Sequence, residues 1–242
     1  YVRRHPHGTL YHLAAWKRSI EKTFGYSADY FVLKEEGRIR GALPLFCIRT
    51  LFSGRKVVSI PFAMYGGILA DDDTTAKRLF EHATSYANER NGKYLEFRCL
   101  HDPGYSLPKS RRYVTFIKSL ADTDEAILKE VPRKSRASIR NGYKKYSLTA
   151  RHDMDVDLLY RLYALNKRNL GSPAYPKRFF EHLVREFDDQ AGMLTVFWEE
   201  KPVSTVLYFW YGDAVVPYFS GGDAKYNRVN GNNVMYYELM RS

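Results

Sequence analysis

Cysteine, long apolar runs and acidic residues are all scarce in this chain. Cys47 and Cys99 are the two cysteines among 242 residues, and neither belongs to a Cys-x-x-Cys or Cys/His ligand spacing, which excludes a disulfide framework and a zinc knuckle. Both lie in apolar segments and are expected to be buried structural thiols. No stretch approaches the roughly 18 apolar residues of a membrane span, and Tyr1-Val2-Arg3-Arg4-His5-Pro6 lacks the apolar core of a signal peptide. A cytoplasmic protein without a transmembrane segment is therefore expected, with the inner face of a membrane as its outer limit. His5, His7 and His12 stand near the start with no His-Glu-x-x-His pattern, so no metal is expected. Glu81-His82 and Glu181-His182 read as surface positions on helices, and Asp188-Asp189 as a turn without calcium-loop spacing. Acids number 27 against 38 lysines and arginines, a net charge of +11, and such an excess favours polyanionic partners. Candidates are tRNA, the phosphates of coenzyme A or of a nucleotide-linked sugar, and anionic lipid; plain solubility is the alternative.

What is present is a pattern told twice. Val32-Leu33-Lys34-Glu35-Glu36-Gly37-Arg38-Ile39 is echoed 164 residues later by Val196-Phe197-Trp198-Glu199-Glu200-Lys201-Pro202-Val203. Each is an apolar run, an acidic turn and a second apolar run, the signature of a β-hairpin. A third short strand follows in both, Val57-Val58 through Pro61 and Val215-Val216-Pro217, and then an aromatic, a Gly-Gly pair (Gly66-Gly67, Gly221-Gly222), a polar loop and a helix. Upstream, Leu10, Tyr11, Leu13 and Ala15 match Leu159, Tyr160, Leu162 and Ala164 at an offset of 149 residues. The offset grows because the second copy inserts a helix over Lys177 to Phe187, and such insertions between elements are tolerated.

The spacing predicts helices over Leu10 to Phe24, ended by Gly25, and over Thr74 to Arg90, ended by Asn91-Gly92. A strand is expected over Tyr94 to Arg98. Between the copies the sequence predicts a strand over Tyr113 to Ile117, a helix over Asp122 to Val131 and a strongly basic helix over Pro132 to Lys145. On that helix Arg133, Arg136, Arg140 and Lys144 share one stripe at about 100° per residue. The second copy ends in a helix over Asn232 to Met240 with no strand after it, so the natural protein is expected to continue beyond Ser242.

Helix, hairpin, third strand, Gly-rich turn, helix and strand, in that order, resemble the GNAT type of N-acyltransferase fold, and a tandem pair resembles the FemAB family. The phrases that carry the resemblance are Ala42-Leu43-Pro44-Leu45, Pro61-Phe62-x-x-Tyr65-Gly66-Gly67, Lys134-x-Arg136-x-x-Ile139-Arg140, Leu170-Gly171-Ser172-Pro173 with Tyr175, and Tyr218-Phe219-Ser220-Gly221. Together they look most like the FemAB-related proteins of exosortase (PEP-CTERM) and exopolysaccharide systems. The resemblance implies an α/β (α+β) fold of two GNAT-like units, 1–120 and 121–242, each a mostly antiparallel mixed sheet flanked by helices. The first would be a degenerate structural or acceptor half and the second the donor half, truncated at its C-terminus. The implied activity is transfer of an acyl or aminoacyl group from CoA or aminoacyl-tRNA to an amine of a cell-envelope or exopolysaccharide precursor. No cofactor is bound permanently; the donor is a substrate. Implied partners are that anionic donor and a phosphate-bearing envelope precursor, with peripheral membrane contact as an added option. A catalytically silent scaffold of envelope polysaccharide assembly and a plain nucleic-acid binder are the alternatives.

GNAT enzymes grip the donor's pyrophosphate with backbone amides of an Arg/Gln-x-x-Gly-x-Gly/Ala loop at a helix start. By the resemblance, Arg228, Gly231, Asn232 and Asn233 are the donor-binding candidates, Asn233 standing where the family pattern has Gly or Ala. An asparagine cap of the helix is the competing reading. In the first copy Asp71, Asp72 and Asp73 precede the helix and would repel a phosphate, with Asp73 the expected cap. Tyr218 and Ser220 are the catalytic candidates for proton transfer, beside oxyanion-binding backbone of the strand around Val215 to Ser220. Tyr65, Gly66, Arg136, Arg140 and Tyr175 are acceptor-binding candidates. With 20 tyrosines in the chain, packing competes with chemistry for each tyrosine named.

Overall fold

The computed structural model describes residues 1–50, 54–105, 107–110 and 113–242, which form two units, Tyr1–Thr115 and Phe116–Ser242. In unit 1 the helix expected from Leu10 is interrupted. A 3-10 turn covers Leu10–His12, Leu13 is extended, and α1 covers Ala14–Phe24. At the break Thr9 and His12 close a capping box around the short turn, and Leu13, extended at ψ 148°, starts α1 afresh. α1 stops at Gly25, whose φ of 69° suits a left-handed C-cap.

Three antiparallel strands follow, β1 (Ser27–Glu35), β2 (Arg38–Thr50) and β3 (Gly54–Val58), with a two-residue β4 (Leu69–Ala70) on β2. Helix α2 (Asp73–Glu89) crosses over to β5 (Gly92–Glu96), which lies parallel to β3. Leu79, Ala83, Tyr86 and Ala87 of α2 pack on Leu43, Leu45 and Val57. Bonds that tie α1 and its start to the unit include the Trp16 indole N–H donating to the Pro61 carbonyl at 3.3 Å, the Ala28 amide donating to the Glu21 carboxylate at 3.2 Å and the Tyr30 hydroxyl donating to the Leu13 carbonyl at 3.4 Å. Gly41 to Phe46 of β2 are all buried, as in a strand covered on both faces.

Unit 2 opens with α3 (Asp124–Glu130) and α4 (Arg133–Tyr146), continues with β6 (Thr149–His152), α5 (Val156–Asn169) and α6 (Lys177–Phe187), and then runs β7 (Ala191–Trp198), β8 (Lys201–Tyr211), β9 (Ala214–Gly222) and α7 (Gly231–Arg241). Its sheet is antiparallel in the order β6-β7-β8-β9. One face buries Leu194, Val196, Val206 and Tyr208 with Val234, Met235 and Leu239 of α7 and Tyr143 of α4. On the other, Phe219 of β9 meets Tyr163 of α5 and Phe179 and Phe180 of α6 at ring separations of 4.9 to 5.8 Å. Two glycines permit close approach. A methyl group at Gly142 would stand 2.6 Å from Val234 of α7, and one at Gly221 would stand 2.4 Å from the Tyr163 backbone nitrogen.

The duplication extends to backbone detail. The β1–β2 turn is Glu36-Gly37 and the β7–β8 turn is Glu199-Glu200, all four residues at φ of 49 to 76°, as the two-residue hairpin turns that match strand twist require. Both hairpins also shift register near the turn, at Leu33/Lys34 and at Val196/Phe197. Other expectations fail. Tyr113 to Ile117 forms no strand, and Tyr113 and Phe116 are each 92% exposed; a strand needs a ladder partner, and among the described residues none pairs with this segment. The Gly-Gly pairs are not equivalent, since Gly221 and Gly222 end β9 while Gly66 and Gly67 lie in irregular chain after β3. The cysteines are not core thiols either: Cys47 is half-buried and Cys99 exposed. Among the described residues no helix is long and apolar enough to cross a membrane.

Candidate functional site

The donor candidates gather where β9 hands over to α7. Asp223 opens a 3-10 turn over Ala224–Val229, its side chain accepting from the Lys225 amide. Asn230 follows in left-handed conformation, φ 65° and ψ 30°, and α7 begins at Gly231. This overturns the asparagine-cap reading, because Asn230 is the cap residue by position yet its side chain caps nothing. Among the described residues its backbone alone is engaged: the carbonyl accepts from the Asn233 and Val234 amides at 3.1 and 3.2 Å, and the amide donates to the Asn227 carbonyl at 3.2 Å. The first turn of α7 carries no acid, so the positive end of the helix is uncompensated. Gly231 is required by packing, since a methyl group there would lie 2.8 Å from Val203 and 3.1 Å from the Ser204 hydroxyl of β8.

β9 brings its residues to the same place. Leu207 faces Phe219 and Tyr208 faces Pro217, so Tyr218 is the inserted residue of a β-bulge, a device that bends a strand and re-aims its backbone. Phe219 and Gly221 face α5 and α6; by alternation Ser220 and Gly222 face α7. A methyl group at Gly222 would stand 3.4 Å from the Asn232 amide oxygen, which places Asn232 over the end of β9. Asn232 and Asn233 also line a cavity of about 300 Å³ with Val131, Pro132, Ile139 and Tyr236. The Tyr218 ring packs on Phe219 and Phe209 at 4.5 and 6.5 Å.

The corresponding helix start in unit 1 is closed. Asp72 is the cap, its carboxylate accepting from the Thr75 amide at 2.8 Å, whereas Asp73 is the first helical residue. That corrects the expected Asp73 cap. The Thr75 amide and Arg40 hold the Asp72 carboxyl below its ordinary range. Arg40 pairs with Asp71 at 2.8 Å and Asp72 at 3.2 Å, and the Tyr1 hydroxyl donates to Asp71 at 2.9 Å. Carboxylates and their own cations occupy the place an anion would take.

Beside it lies a cavity of about 390 Å³ in unit 1, with Tyr65, Gly66, His5, His7, Cys99 and His101 in its wall. His12 anchors that wall, with its Nε2–H donating to the Gly67 carbonyl at 3.0 Å and Nδ1 accepting from the Thr9 amide at 3.2 Å. Burial pushes this imidazole down to about 4, so it is neutral and structural. Cys99 is exposed as a residue but its sulfur packs against Gly67, and that local desolvation, with a smaller push from the Asp102 carboxylate, raises the thiol to about 11. Among the described residues no group of three or more His, Cys, Asp or Glu could hold a metal ion.

The acceptor candidates of unit 2 do not form one site, and those of unit 1 lie by themselves in its cavity. Tyr65 and Gly66 line the unit 1 cavity, Tyr65 edge-on to Tyr11 at 5.4 Å. In unit 2, Tyr175 packs on Phe179 and Phe219 on the α5–α6 face of the sheet. Arg136 and Arg140 belong to α4 on the opposite face, Arg136 donating to the Lys129 carbonyl at 3.3 Å. α4 carries six cations and no carboxylate, and among the described residues none of the six stands in an ion pair. Arg228 lies with its guanidinium 5.4 Å from the centre of the Trp198 ring. Trp198 drew no attention in the sequence because it reads as the last residue of an ordinary hairpin strand.

Residues 130–242 match the model of the acetyltransferase (GNAT) domain, a transferase domain, over most of unit 2. Among curated proteins none matches the sequence. A crystal structure of FemX superposes with a TM-score of 0.72 at 13% identity, covering 99% of this chain and 81% of that one. The fold is a tandem GNAT-like fold. Its second unit carries the transferase match together with the open helix start.

Proposed function

We propose that the protein is an N-acyltransferase whose unit 2 holds an anionic donor, acyl-CoA or aminoacyl-tRNA, and whose acceptor is an amine on a cell-envelope or exopolysaccharide precursor. The observation that carries the reading is the contrast between the helix starts, α7 without a side-chain cap and α2 sealed by Asp72 and Arg40. Donor phosphates would sit on the first amides of α7, where backbone donors and the helix dipole act together. The amine nitrogen attacks the donor carbonyl carbon, forming a C–N bond. The C–S bond of a thioester, or the C–O bond of an aminoacyl ester, then breaks, and the leaving sulfur or oxygen takes the proton the nitrogen gives up. Backbone of β9 near the bulge at Tyr218 is the candidate for holding the oxyanion, and Tyr218 and Ser220 the candidates for passing the proton.

Unit 1 would be the acceptor half. Its cavity joins imidazoles to the carboxylates of Asp71 to Asp73 and Asp102, a lining better suited to an amine than to a phosphate. The envelope pathway rests on the resemblance to FemAB-related proteins of exosortase systems. The test is titration with acetyl-CoA and with aminoacyl-tRNA, coupled to transfer onto amine acceptors, in the wild type and Arg228→Glu. Loss of donor affinity in the variant is expected. Unchanged CoA affinity removes the acyl-CoA version, and absence of binding and transfer with both donors removes the enzyme reading in favour of a scaffold.

A further inference from the structure

Three segments remote in sequence meet at one indole. Trp198 closes β7; Tyr146, at the end of α4, meets it edge-on at 6.2 Å and 87°, and Tyr226, from the turn before α7, meets it at 5.9 Å and 68°. The Lys145 ammonium lies 5.3 Å from the centre of the Tyr146 ring. Over the indole lies Arg228, which is exposed and which, among the described residues, no carboxylate pairs. Asp223, the acid nearest Arg228 in sequence, accepts from the Lys225 amide at 3.0 Å, and Glu200 of the β7–β8 turn beside Trp198 is taken by Arg151 at 2.6 and 2.7 Å. The cluster therefore keeps its positive charge.

The Arg228 guanidinium lies over the indole at cation–π distance; laid flat on the ring, it would offer an outer face and in-plane N–H groups at its edge. The face suits a nucleobase, and the edge suits phosphate. We propose that the Arg228–Trp198 stack seats the adenine of the donor, with Lys145 beside it for an adenosine phosphate. The inference rests on the proposed donor reading, since Arg228 is three residues from Gly231, where the donor's remaining phosphates would lie. CoA and the 3′ end of tRNA both carry an adenosine with phosphate, so the stack would serve either.

The probes are adenosine 3′,5′-bisphosphate, inorganic pyrophosphate, CoA and the trinucleotide CpCpA, titrated by calorimetry and by indole fluorescence. Arg228→Lys keeps the charge and loses the plane; Trp198→Phe keeps an aromatic plug in a position that packs on the core. Expected are an affinity for adenosine 3′,5′-bisphosphate lowered about tenfold by Arg228→Lys, within the range of base stacking, and pyrophosphate affinity changed less than about twofold. Trp198→Phe should lower the adenosine affinity and remove the fluorescence response. Equal losses for both probes, or no loss for either, overturn the stack while the donor reading stands. If the wild type binds neither probe, both fall. Tighter binding of CoA than of CpCpA marks the smaller donor as the source of the adenosine, and the reverse order marks the RNA end.

Discussion

Replacing Gly221 by alanine tests whether β9 is held by direct backbone contact with α5. The added methyl group would stand 2.4 Å from the Tyr163 nitrogen, 2.5 Å from the Leu162 carbonyl carbon and 2.7 Å from the Leu162 oxygen. These are backbone atoms of a helix, and they cannot swing aside as a side-chain tip can. To restore ordinary contact α5 must retreat by roughly 1 Å, loosening Tyr163 and Phe180 from Phe219; overpacking of this kind costs about 3 kcal/mol. For a chain of this size 1 kcal/mol moves the melting midpoint by about 2–4 °C, so a fall of about 6–12 °C is expected. Gly222→Ala is the control one residue along, because its methyl group would meet the Val203 oxygen at 3.3 Å and Asn232 at 3.4 Å. That variant should lose under about 1 kcal/mol, as tight but tolerable contacts do. Differential scanning calorimetry reads both. A Gly221→Ala midpoint within about 2 °C of wild type would refute the packing argument.

Other predictions concern pH, a buried hydroxyl pair and a turn. The folded protein holds His12 near 4 against an ordinary value of 6.5, so the unfolded state binds a proton in that window that the folded state refuses. Stability should fall as pH drops from 6.5 towards 4, by up to about 3 kcal/mol, and His12→Gln should flatten this part of the profile in melts from pH 4.5 to 7. Thr195 and Thr205 share a fully buried hydroxyl contact at 2.9 Å. Thr195→Val alone should cost about 1–3 kcal/mol in urea denaturation by stranding its partner, and adding Thr205→Val should recover most of it. Glu199 sits at φ 49° in a turn that favours asparagine at its first position, so Glu199→Asn should raise the melting midpoint, by about 0.5–1 kcal/mol of stability.

Hairpins and helices were legible in the sequence where local chemistry decides them. Lys177–Phe187 begins after Pro176 and carries Phe179, Phe180, Leu183 and Phe187 on one buried face, so pattern and structure agree at both ends. The turns at Glu36-Gly37 and Glu199-Glu200 were legible for the same reason. Tyr113 to Ile117 has strand composition, but a strand depends on a partner that composition does not show. β6 passed unnoticed, being four residues long between a left-handed Ser147 and the next helix. Arg228 and Gly231 could be picked out as a loop, yet the bulge at Tyr218 is a matter of register with β8, and the contact of Arg228 with Trp198 spans thirty residues. Neither has a local signature.

The most direct test of the account is an amide-resolved NMR titration with CoA and, separately, with a CCA-ended RNA. The account predicts that at least one of them shifts the amides of Gly231, Asn232 and Asn233, with smaller changes at Pro217-flanking residues of β9, and leaves Asp73 to Thr75 of α2 unmoved. Shifts centred on α2, or none at the start of α7 with either probe, would contradict it.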